Sequence, residues 1–153
     1  MKIKEKVDRL IEFILIGIMS IMVINVTWQV FSRYVLNAPS PYTEELTRYL
    51  MIWIGLLGAA YISGKNAHIS IDLFKEKFSE KKQNGINLFS DVLIILFSFF
   101  CFLIGGSRLV YITLKLGQLS PALQIPLAYV YFILPLTGLL IVFYKVLNIL
   151  KKN

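Results

Sequence analysis

Four runs of mostly apolar residues, at about 10–35, 46–64, 87–112 and 127–148, each reach the roughly 20 residues a helix needs to cross the hydrocarbon core of a bilayer. In lipid every backbone amide must be paired inside the segment, so runs of this length can only be helices. The expected fold is therefore an all-α integral membrane protein, one four-span domain over residues 1–153. A hydrophobic fraction of 57% argues against a soluble domain in the same direction. Lys2, Lys4, Lys6 and Arg9 precede the first run as they would in a secretion signal. That run is too long for a signal peptide's apolar region and lacks a small-x-small cleavage site, so it is expected to remain as an anchor.

The net charge of +7 does not point to nucleic acid, because the lysines cluster at the ends of the apolar runs, where they meet anionic lipid headgroups. Twelve lysines and arginines flank one side of the four spans and four flank the other. The positive-inside rule then places both termini in the cytoplasm. In the middle connection Ile71, Phe74 and Phe78 recur at helical spacing among Asp72, Lys75, Glu76 and Lys77. This spacing predicts an amphipathic helix at about 69–82 on the cytoplasmic surface, with a solvated loop as the alternative.

Ion and proton pathways place ionisable groups deep in the membrane, yet the span centres fall near Met22, Gly55, Phe100 and Thr137. Glu12 and Asp91 lie near the cytoplasmic ends, within reach of Lys65 or His68, and read as structural partners together with Asp72. A single histidine and a single cysteine, Cys101, supply neither haem ligands nor a thiol pair. No enzyme, cofactor or metal is expected of this chain.

The densest polar chemistry lies between Trp28 and Ala60. Ser40 followed by Pro41 reads as a helix N-cap with proline at the first helical position, which puts Glu44 and Glu45 in the first turn. Glu44 and Arg48 have the i, i+4 spacing of an intrahelical pair. Arg33 from span 1 and Arg108 from span 3 are expected at the same membrane level, so two acids and three arginines can converge, either within the chain or against a partner. Asn25, Thr27, Trp28 and Gln29 make the outer half of span 1 polar enough to predict a helix-packing face. Pro135, with Gly138 close behind, predicts a kink in span 4. The preceding connection, LGQLSPALQIPLAYVY, is apolar enough to expect a cover.

Three segments resemble the DctQ-type small membrane subunit of tripartite ATP-independent periplasmic (TRAP) transporters: WQVFSRYVLNAPSPYTEELTRYL, WIGLLGAAYISGKNAHISIDLF and SPALQIPLAYVYFILP. Tyr42 departs from the tryptophan common in that family but keeps an interfacial aromatic. The resemblance covers nearly the whole chain. It implies a non-catalytic scaffold in the bacterial inner membrane, paired with a large multispanning permease subunit and served by a periplasmic substrate-binding protein. It also implies sodium-driven uptake of an organic acid, of the sialic acid or C4-dicarboxylate class, with the substrate and sodium sites on the large subunit. Two other classes compete: an autonomous four-span homo-oligomeric transporter, which the missing central carboxylate disfavours, and a membrane enzyme or electron carrier, which would carry a chromophore.

Overall fold

The computed structural model describes residues 2–65 and 80–152, with side chains over 4–65 and 85–150. Residues 66–79, which carry His68, Asp72 and most of the expected surface helix, lie outside the described residues. Among the described residues four helical segments are long and apolar enough to span a bilayer: Lys4–Tyr34, Pro41–Gly64, Gly85–Lys115 and Leu127–Leu150.

Helix α1 (Lys2–Tyr34) has 33 residues. At 1.5 Å per residue it is about 50 Å long against a hydrocarbon core of about 30 Å, so its charged first turns overhang the apolar layer. It stops where the backbone folds back on Ser32. The Ser32 hydroxyl donates to the Ala38 carbonyl, the Ala38 amide returns a bond to the Ser32 carbonyl at 3.1 Å, and Asn37 takes the left-handed conformation at φ 53°. Asparagine tolerates that region better than most residues. Helix α2 (Pro41–Gly64) follows with Pro41 in its first turn. Ser40 has the extended backbone of an N-cap, but its side chain caps nothing; its carbonyl accepts the Thr43 hydroxyl at 2.9 Å.

Span 3 is interrupted. Helix α3 (Glu80–Phe97) passes into a π-helical segment (Ser98–Gly105) before α4 (Gly106–Lys115). Span 4 comprises α5 (Leu127–Tyr131) and α6 (Ile133–Lys152), broken at Phe132. Pro135 explains this break, because it has no amide to offer the Tyr131 carbonyl and its ring crowds that oxygen. The helix is thus interrupted where the kink was expected, whereas nothing in the sequence foretold the π segment facing it. The two irregularities meet. A β-carbon added at Gly106 would lie 2.8 Å from Leu134 Cβ and 3.1 Å from Pro135 Cδ, and one at Gly138 would lie 2.9 Å from Phe102 Cβ. Glycine at both positions lets the backbones approach as small residues do in membrane helix pairs.

Helix α1 packs along α2, α2 along span 4, and span 4 along span 3, so the spans lie in the order 1-2-4-3. The buried apolar residues follow this order. Leu57 and Ala60 of α2 and Val130, Ile133, Ile141 and Tyr144 of span 4 form the core, while α1 and span 3 flank it with most of their surface outward. The Trp53 indole donates to the Val130 carbonyl at 3.2 Å across the central pair.

Candidate functional site

Two polar clusters stand at opposite ends of the spans. One surrounds Glu45 at the start of α2; the other gathers where both chain termini lie.

Glu45 is the hub of the first. One oxygen, Oε2, accepts the backbone amides of Ala122 and Leu123, each at 2.8 Å, and the other accepts the Tyr49 hydroxyl. A carboxylate in the first turns of α2 thereby holds the connection between α4 and α5. That connection is itself folded. Ser120 is fully buried, its amide donates to the Ile125 carbonyl at 2.9 Å, and its hydroxyl accepts the Ile125 amide at 3.3 Å. The Leu127 amide closes the turn on the Gln118 carbonyl at 3.0 Å. Leu116 and Leu119 remain mostly exposed on the outside of this turn.

The five charges expected to converge do not form one network. Arg48 donates to Glu44 Oε1 at 2.5 Å along the surface of α2. Glu45 faces the other way, into the folded connection. Arg33 and Arg108 are exposed and make no ion pair among the described residues. Their separation follows from the helix order, since spans 1 and 3 stand on opposite flanks. The polar face of span 1 also divides. Asn25 does pack, its amide donating to the Thr43 carbonyl at 2.7 Å and to Thr47 Oγ1 at 2.6 Å. Thr27 spends its hydroxyl on the Val23 carbonyl one turn back, Trp28 is exposed against Phe31, and Gln29 is half-buried.

The second cluster is denser and was largely missed by sequence reasoning. Lys4, Asp8 and Glu12 repeat at i, i+4 and i+8, so they line one face of α1. Lys4 Nζ donates to the Gly64 carbonyl at 2.6 Å, the Tyr144 hydroxyl donates to Asp8 at 2.5 Å, and Glu12 accepts both the Tyr61 hydroxyl and, at 3.4 Å, Lys65 Nζ. The Tyr61 hydroxyl raises the Lys65 ammonium above its ordinary value; desolvation opposes this and Glu12 adds to it. The Tyr144 ring lies flat against Gly64, where an added β-carbon would sit 2.9 Å from two ring carbons. Asp91 and Lys145 complete the cluster at 2.7 Å, with the lysine side chain 1% exposed. Asp91 therefore pairs across spans 3 and 4 rather than with Lys65, while His68 lies outside the described residues. The pairing of Glu12 with Lys65 is as expected, whereas the bonds of Lys4 and Asp8 were not anticipated, although the i, i+4, i+8 spacing on α1 was the available signal.

Neither cluster has the makings of a reaction centre. Among the described residues no three histidine, cysteine, aspartate or glutamate side chains gather to hold a metal ion. What both clusters do is join segments that are distant in sequence.

Comparison with known proteins points to membrane transport. The family model of tripartite ATP-independent periplasmic transporters, DctQ component, matches residues 22–152. A TRAP transporter small permease protein of Haemophilus influenzae is 28% identical over 88% of this chain and 82% of its own length. The sialic acid TRAP transporter small permease protein SiaQ of Vibrio cholerae is 28% identical over 61% of this chain and 54% of its own. The isethionate TRAP transporter permease protein DctMQ of Oleidesulfovibrio alaskensis is 29% identical over 82% of this chain, and the match takes up 20% of that longer protein.

Proposed function

Since the chain belongs to the DctQ component family of TRAP transporters, a family of permease subunits and not of enzymes, we propose that it is the fixed scaffold of a sodium-driven organic-acid importer. Small subunits of this family work with a large permease subunit, and the DctMQ match carries the reading furthest. There, a segment similar to this chain is part of one long permease polypeptide, which supports a pairing with a large subunit. The outward faces of α1 and span 3 give a large subunit room to pack.

In this reading the large subunit holds substrate and sodium, and this chain holds neither. The substrate is an organic anion; sialic acid and isethionate, named for the relatives, share that chemistry. Both termini face the cytoplasm of a bacterial inner membrane. Removing the buried Lys145 from the charge comparison leaves its sign unchanged. The Glu45 end then faces the periplasm, where Arg33, Arg108 and the exposed leucines of the folded connection help dock the binding protein. Reconstitution tests this directly. Proteoliposomes holding this chain and its large subunit should take up the acid on a sodium gradient when the binding protein is added, and either subunit alone should not. Uptake by this chain alone would favour the autonomous homo-oligomer instead.

A further inference from the structure

We propose that the groove between α1 and α2 holds one acyl chain of an anionic phospholipid whose headgroup sits on Lys6 and Arg9. This inference depends on the membrane-spanning fold and not on the transporter reading. Two depressions follow one another along α1. The first, about 550 Å³, lies at the overhanging end and is lined by Glu5, Lys6, Arg9, Leu10 and Phe13. The second, about 680 Å³, begins within a turn of Phe13 and runs between Ile16, Met19 and Val23 of α1 and Ile54 and Gly58 of α2.

Charge complementarity identifies the occupant. Lys4 and Asp8, on the neighbouring face of α1, are taken by Gly64 and Tyr144, whereas Lys6 and Arg9 are exposed at the mouth of the groove. With Glu5 at the rim the mouth keeps a net positive charge, suited to a headgroup with a net negative one. Below the mouth the walls ask for no polar partner. Ser20, the hydroxyl residue there, donates to the Ile16 carbonyl of its own helix at 2.8 Å. Gly58 leaves the floor open, since a β-carbon there would meet nothing within 4 Å. The length suits an acyl chain whose headgroup sits on the overhanging turns: fifteen residues of helix, about 22 Å, separate Arg9 from Ile24, where the lining of the second depression ends, against about 15 Å for the hydrocarbon of one leaflet.

The full chain, purified in detergent, is to be incubated with phosphatidylglycerol or with phosphatidylcholine of the same acyl chains, and the retained lipid read by native mass spectrometry. Phosphatidylglycerol should be retained over phosphatidylcholine. Lys6→Gln and Arg9→Gln should each lower phosphatidylglycerol retention about fivefold and leave phosphatidylcholine unchanged. Gly58→Leu should fill the groove and lower retention of both lipids. Equal retention of the two lipids, or charge variants that retain lipid like the parent, would overturn the proposal. A photo-crosslinking amino acid at position 19, in chain co-expressed with its large subunit, separates the remaining occupant. Capture of phospholipid supports the site, and capture of the large subunit assigns the groove to protein.

Discussion

The two ends of this bundle use similar side chains in opposite ways. At the terminal end, charge meets charge or a tyrosine hydroxyl across helices: Asp8 with Tyr144, Glu12 with Tyr61 and Lys65, and Asp91 with Lys145. At the other end Glu45 turns to backbone amides, and the nearby arginines stay outside. A side-chain lattice fixes how helices stand against each other. A carboxylate on two amides fixes the shape of a connection and leaves the helices beside it free to meet something else. The first arrangement suits an end that must stay closed, and the second suits an end that offers a surface.

The largest test of this difference is Asp91→Asn. It leaves the Lys145 ammonium buried with no counter-charge, and breaking a buried pair from one side costs about 3–5 kcal/mol. Unfolding of the purified chain by denaturing detergent should show a loss of that order. The exchanged pair, Asp91→Lys with Lys145→Asp, should recover part of it. If Asp91→Asn unfolds like the parent, the terminal end is not the closed end.

Glu45→Gln should act more narrowly. The amide side chain still has one accepting oxygen, but it is uncharged and its nitrogen cannot accept. Hydrogen exchange at the Ala122 and Leu123 amides should speed up while exchange in α6 stays slow. An equal change in α6 would mean that Glu45 holds the helices as well as the connection.

The four spans were legible because length and hydropathy are properties of one segment at a time. The Glu44–Arg48 pair and the break before Pro135 were legible for the same reason, each set by residues within one turn of the other. The rest depended on which spans become neighbours. Arg33 and Arg108 share a level but stand on opposite flanks, a consequence of the 1-2-4-3 order that no local pattern carries. Asp91–Lys145 and Tyr144–Asp8 depend on the same order, being 54 and 136 residues apart in the chain. The π segment is similarly non-local, since its place opposite Pro135 and Gly138 is a matter of packing between spans.

Tyr144→Phe probes a single strut of the closed end. It removes the hydroxyl that donates to Asp8 and keeps the ring that packs on Gly64. A hydrogen bond to a carboxylate contributes about 1.5–3 kcal/mol, so the melting temperature should fall, but by less than in Asp91→Asn. A loss as large as that of Asp91→Asn would show that the α1 face, and not the buried pair, closes this end.

The smallest expected effect is at Arg48, and it separates fold from docking. Its bond to Glu44 is an exposed i, i+4 pair, for which about 0.3–0.5 kcal/mol is typical, and salt screens it further. Arg48→Gln should therefore leave unfolding nearly unchanged and serve as the control for Arg33→Gln and Arg108→Gln, which have no ion pair to lose among the described residues. If the Glu45 end offers a docking surface, the Arg33 and Arg108 variants should assemble with the large subunit in normal yield and lower uptake at limiting binding protein. That loss should shrink as binding protein is added in excess, because a weaker encounter is overcome by concentration whereas a broken scaffold is not. If both variants transport like the parent at limiting binding protein, these arginines are membrane-margin anchors and the contrast between the ends is one of packing alone.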